Sequence, residues 1–404
     1  MHSKDFSWRY SLTTTILLLS PFDLLASLGM DMYLPVVPLM ADVLGAGTGT
    51  IQLTLTVYLV LIGAGQLLFG PLSDRFGRRP VLLSGGITYI VASFGLAITS
   101  SPEVFLGLRV IQACGASACL VAIFAAVRDI YSGRKESNII YGLLSSMLAM
   151  VPAVGPLLGA LVNTWLGWRA IFGLLGCAMA VAVITAWKLY PETRQKRSAG
   201  LQWSQLLLPV KRLNFWLYTL CYSAGMGSFF VFLSTAPWVM TGRQGLSQLT
   251  FSLLFATVAI AMMVTSRIAG GAIVRWGRLN MLRAGMCCLV AGALLLAVGE
   301  LLMPESVLGF IAPMWLIGVG ISTGVSVAPN GALRGFDHIA GTVTAFYFCL
   351  GGLLSGMVGT FTITLLSNET SWPIIAYCLI LATIVLCLSC FINNEGHKQL
   401  AQNH

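Results

Sequence analysis

Charge is what this chain of 404 residues has least of. Asp, Glu, Lys and Arg together make up 9% of it, where a soluble globular domain carries about a quarter. That deficit excludes an ordinary water-facing surface. With 57% hydrophobic residues, what remains is an all-α polytopic membrane protein. Histidine is scarcer still, and His2, His338, His397 and His404 all fall outside the apolar runs. No histidine-based catalytic set is therefore expected at membrane depth. The chain also lacks GxxxxGK(S/T) and HExxH, which removes the phosphate loop of a primary pump and one hydrolytic signature. The ten cysteines lie within apolar runs. Cys387-x-x-Cys390 has no second pair and no histidine beside it, so the cysteines read as small buried hydrophobes. The expectation is a protein that is not an enzyme and uses no metal and no cofactor.

What is there is hydrocarbon. Apolar stretches near membrane length fall roughly at 11–37, 51–70, 81–99, 104–127, 138–162, 169–190, 214–240, 249–270, 281–303, 306–330, 339–366 and 372–392, twelve in all. A bilayer core takes about 20 helical residues, and only a helix satisfies its backbone within one segment of lipid. The first stretch contains Pro21, Asp23 and Asp31 and is too long for a signal-peptide core, so it is expected to stay as the first helix. With both termini placed in the cytoplasm, 19 of the 23 Lys and Arg fall on the inner side. That is the positive-inside bias. The net charge of +9 then belongs to the membrane surface, and no nucleic acid is expected as a partner.

The polar stretch PETRQKRSAGLQWSQLLLPVKRLN, residues 191–214, parts six spans from six. The expected division is a half at 1–192, a cytoplasmic linker at 193–213 and a second half at 214–404. A repeat crosses it. Gly70, Arg75, Gly77 and Arg78 recur as Gly270, Arg275, Gly277 and Arg278, at an offset of 200. At the second-to-third turn of each half, Gly70 and Gly77 are expected to permit close backbone approach while the arginines hold the inner face. Asp74 can cap the third helix or pair with an arginine one turn away, and its counterpart is Val274. A topogenic basic loop would account for the arginines. The glycines, the aspartate and the repeat favour a gate made of Gly70, Asp74, Arg75, Gly77 and Arg78.

Only Asp23 and Asp31 among the acids fall well inside a span. Each costs roughly 2.5–3.5 kcal/mol at a helix centre, so each should face a cavity or a partner. They stand ~12 Å apart along the axis. Arg109, on the fourth span, lies near the level of Asp31 and keeps its proton at any relevant pH. It is expected to hold an aspartate charged or to release it on protonation, the alternative being a structural ion pair. Asp23, Asp31 and Arg109 are therefore the proton-coupling candidates. Asp23 and Arg109, with Tyr141 and Ser145 on the fifth span and Tyr222 and Met226 on the seventh, are the substrate-binding candidates. Arg128 and Asp129 are expected to form an ion pair that helps close the inner side. Pro152, Gly155, Pro156 and Gly159 give the fifth span a packing or rocking contact.

These stretches also carry a resemblance. GPLSDRFGRR, 70–79, resembles the signature G-x-L-x-D-R-x-G-R-R/K of the major facilitator superfamily. LRVIQACGAS, 108–117, is similar to its fourth-helix motif through Arg109, Gln112 and Gly115, and departs from it at Ala113 and Cys114. AMVPAVGPLLGAL, 149–161, resembles the antiporter motif through Gly155, Pro156 and Gly159. DMYLPVVP (31–38), RDIY (128–131) and GWRAIF (167–172) narrow this to the Bcr/CflA drug-resistance group. SPFDLLASLGMDMYLPVVP, FWLYTLCYSAGMGSFFVF and APNGALRGFDHIAGTVTAFYFCLGG resemble its phenicol exporters. The resemblance implies two pseudo-symmetric six-helix halves with a substrate site between them near the midplane. It also implies export of phenicol antibiotics, chloramphenicol and florfenicol, by alternating access in exchange for protons. The partners are then a phenicol antibiotic, protons and the lipid bilayer, for a monomer in the bacterial inner membrane. A proton-coupled uptake carrier of the same fold is the alternative, against which the fifth-span motif speaks.

Overall fold

Each apolar run is a helix in the computed structural model of the chain, which describes residues 10–131, 135–194, 208–336, 340–367 and 369–401. The first helix, α1 (Leu12–Asp31), continues through a 3-10 turn (Leu34–Val36) into the short α2 (Val37–Leu44). There follow α3 (Thr48–Phe76), α4 (Arg78–Ile98), α5 (Pro102–Tyr131), α6 (Lys135–Leu166) and α7 (Trp168–Leu189). Next come α8 (Leu213–Pro237) with a π-helical turn (Trp238–Arg243), α9 (Gln248–Trp276), α10 (Arg278–Leu302), α11 (Val307–Ala332), α12 (Ala340–Leu366) and α13 (Trp372–Ala401). Among the described residues all regular structure is helical, and twelve spans are long and apolar enough to cross a membrane. The chain divides into two compact units, Met1–Leu201 and Gln202–His404.

The offset of 200 seen in the sequence is written into the helix boundaries. Helices α3 and α9 each run 29 residues, from Thr48 and from Gln248. Each stops at a glycine with positive φ, Gly77 at 111° and Gly277 at 79°, a conformation that a side chain resists. The next helix then starts at once, on Arg78 and on Arg278. The packing repeats as well. A Cβ on Gly85 would stand 2.9 Å from the carbonyl oxygen of Gly115, and one on Gly285 would stand 2.9 Å from that of Gly320. Small residues let two backbones touch in this way, which is how helices associate where no water drives them together. One expectation fails here. Gly70 has nothing within 4 Å of where a Cβ would stand, so the close approach belongs to Gly77 and not to Gly70.

Helix α6 lies on the end of α1 through its two motif glycines. A Cβ on Gly155 would come within 2.6 Å of the Asp31 Cβ, and one on Gly159 would land on the Met32 carbonyl oxygen. The glycines are therefore the means by which α6 approaches the stretch that carries Asp31.

Candidate functional site

Asp23 and Asp31 are both buried on α1. Neither carboxylate oxygen of Asp23 has a hydrogen-bond partner among the described residues, and no cation there lies within 4 Å of either aspartate. The segment between them is held from behind. Tyr89 Oη donates to the Leu25 carbonyl at 2.8 Å, Tyr58 Oη to the Ala26 carbonyl at 2.6 Å, and Arg109 to the Gly29 carbonyl at 2.9 Å. Three donors from α3, α4 and α5 thus fasten the turn from Leu25 to Gly29, which lies between the two acids.

Arg109 itself is fully buried. Its guanidinium also donates to Gln112 Oε1 at 2.7 Å, and Gln112 Nε2 donates to Ser93 Oγ at 2.9 Å. Its carbon lies 4.3 Å from the centre of the Tyr58 ring and 4.9 Å from that of Tyr33, within the range of cation–π attraction. The expected pair with an aspartate is not formed. Equal depth along two helices does not set the direction each side chain takes around its axis, and here the cation turns to rings and a carbonyl. Tyr33 and Tyr58 come from different elements, and nothing in their spacing marks them as one cage.

At the turn between α3 and α4 the charges do assemble. Arg78 is almost wholly buried, with its guanidinium 2.6 Å from Asp74 Oδ1 and 2.7 Å from Asp129 Oδ2. It also donates to Ser73 Oγ at 3.1 Å. Asp74 pairs one turn along, as the spacing allows. Arg128, largely exposed, forms the expected pair with Asp129 at 3.9 Å, and Arg78 approaches the same carboxylate more closely. The residue that sequence reasoning missed is Glu192. Its carboxylate accepts the backbone N–H groups of Arg78 at 2.9 Å and Arg79 at 3.2 Å, capping the N-terminus of α4 where an anion is favoured. Arg194 follows it and donates to the Arg75 carbonyl at 2.6 Å. Tyr190, hydrogen-bonded to Thr193 at 3.1 Å, sits just before this group, and burial pushes its phenol well above the usual range. No salt bridge is found for Arg275 or Arg278 among the described residues of the second unit, and Val274 is exposed.

In the second unit, Tyr222, Met226 and Phe229 form a half-buried stripe on α8, a helix most of whose other positions are buried. Tyr222 packs against α12, its ring tilted 5.3 Å from that of Tyr347 and edge-to-face 5.5 Å from that of Phe348. Gly351 makes room for it, since a Cβ there would stand 2.5 Å from the Tyr222 ring. At the far end of α8 the π-helical turn sets Arg243 against Glu300 of α10 in a two-pronged pair, 2.5 and 2.9 Å. The side chains of Tyr141 and Ser145, on α6, lie outside the described residues. Among the described residues no group of acids, histidines or cysteines could hold a metal ion.

A family model described as Major Facilitator Superfamily matches residues 22–360. A chloramphenicol resistance protein of Pseudomonas aeruginosa is 71% identical over 398 residues, 98% of this chain and 95% of that one. Multidrug resistance protein D of Escherichia coli (strain K12) is 29% identical over 377 residues, 92% and 94% of the two chains. Among solved structures, a nucleoside transporter, NupG, superposes with a TM-score of 0.74 at 13% identity, covering 94% of this chain and 100% of the other. That likeness concerns the fold alone.

Proposed function

Because this chain belongs to the Major Facilitator Superfamily, we propose that it exports chloramphenicol, and florfenicol with it, from the bacterial cytoplasm by alternating access in exchange for protons. Its similarity over nearly the whole length to a protein named for chloramphenicol resistance supports the substrate class. The observation that carries the coupling is the pair of buried acids on α1, neither with a counter-ion among the described residues. An acid at that depth with nothing to neutralise it is costly, and such a cost points to a role in transport.

In this reading Asp23 takes up a proton while the site faces outward and yields it while the site faces inward, where drug binding follows. Asp31, against Gly155 of α6, is the second acid on the same path. Arg109 acts on the turn between them through the Gly29 carbonyl and positions it without itself touching drug. Tyr222 and Met226 are the aromatic and thioether candidates on α8, and Tyr141 and Ser145 remain candidates on α6. The turn network of Asp74, Arg78, Asp129 and Glu192 closes the cytoplasmic side, with both termini inside and the protein a monomer in the inner membrane. Labelled chloramphenicol in cells expressing the protein tests the direction of transport. Accumulation should fall below that of control cells, and a rise would establish uptake instead.

A further inference from the structure

Among the described residues, six buried tyrosines have hydrogen-bond partners for their hydroxyls. Tyr58 and Tyr89 donate to α1 carbonyls, Tyr131 bonds Thr15, Tyr190 bonds Thr193, and Tyr377 donates to the Ser223 carbonyl at 2.8 Å. Tyr33 accepts from Thr54. The Tyr347 hydroxyl is buried and has no partner among the described residues. A buried hydroxyl left unpaired is unfavourable, and phenylalanine would fill the same volume without it.

The setting of Tyr347 says what the hydroxyl is for. Its ring is covered by Tyr222 and Phe348, at 5.3 and 5.0 Å between centroids, and both covering rings are half-buried. The cluster therefore sets two partly exposed rings against a buried one whose hydroxyl is unpaired among the described residues. Neither α8 nor α12 carries a single charged residue, so an ion would find no counter-charge on either helix. A ligand suited to this surface is uncharged, offers an aryl ring to stack on Tyr222 and Phe348, and carries an acceptor oxygen close to that ring.

We propose that the Tyr347 hydroxyl donates a hydrogen bond to an acceptor oxygen of the exported drug, with Tyr222 and Phe348 as its stacking surface, and so sets affinity for neutral aryl drugs. This inference rests on the export reading above, and the experiment separates the two. Equilibrium binding of radiolabelled chloramphenicol is measured on the purified full-length protein in detergent, wild type and Tyr347→Phe, alongside the thermal unfolding of each. The variant should bind roughly five- to tenfold more weakly, as expected for one neutral hydrogen bond, with an unfolding midpoint equal to or above that of the wild type. Equal binding by both proteins overturns the assignment and leaves the export reading standing. Weaker binding together with a lower midpoint also overturns it, because the hydroxyl would then serve the fold. A wild-type protein that binds no chloramphenicol removes both.

Discussion

Asp23 and Arg109 stand out in any reading of the chain, since a charged residue within twenty apolar ones is conspicuous; what surrounds them is not. Asp23 has no partner among the described residues for either oxygen, so Asp23→Asn removes a protonatable group without breaking an ion pair of the described structure. The variant should reach the membrane at wild-type level and lose chloramphenicol export, read as labelled drug accumulating to the level of cells without the protein. Export at the wild-type rate would assign the proton to another group. For Arg109 the structure replaces an expected salt bridge with a cage of Tyr33, Tyr58, Gln112 and the Gly29 carbonyl. A lysine keeps the charge but has no planar face to lie on two rings. Arg109→Lys should therefore lower the initial rate of export at least about tenfold, and an unchanged rate would make charge alone sufficient. The cage is illegible in the sequence because its tyrosines come from α3 and the turn after α1. Their meeting is a property of helix packing and of no motif.

Between helices, close contacts bear the argument. Alanine at Gly159 would drive its methyl into the Met32 carbonyl, whereas Gly173 on α7 has nothing within 4 Å. Overpacking of this kind costs about 1–3 kcal/mol. Gly159→Ala should depress both thermal stability and transport, and Gly173→Ala should change neither; equal behaviour would mean α6 can give way. At the turn between α3 and α4, Glu192 closes the α4 N-terminus through two backbone N–H groups. Losing such a cap costs about 1 kcal/mol. Glu192→Ala and Asp74→Asn should slow turnover more than they weaken drug binding, as measured by the half-saturating concentration and the maximal rate in vesicles. Weakened binding at full turnover would place this turn in the binding site. The repeat at 200 residues made the two turns legible as equivalent places, and it announced the matched boundaries of α3 and α9. Glu192 was hidden because its partners are backbone groups 113 and 114 residues earlier, and its own neighbourhood reads as a polar linker.

Over the whole molecule, exchange of drug for protons is a balance of energies. Phenicols are uncharged near neutral pH, so each proton taken inward against one drug molecule outward moves one net charge. That charge gains ~2.3 kcal/mol per 100 mV, while a tenfold drug gradient costs ~1.4 kcal/mol. A potential of about 100 mV alone can then hold a drug gradient of roughly fortyfold. The measurement that tests this most directly is drug efflux from proteoliposomes in cellular orientation, loaded with chloramphenicol, at equal pH on both sides. Imposing an inside-negative potential should speed the exit of drug, and reversing its sign should slow it. Efflux that takes no account of the potential would contradict the exchange of a proton for a neutral drug.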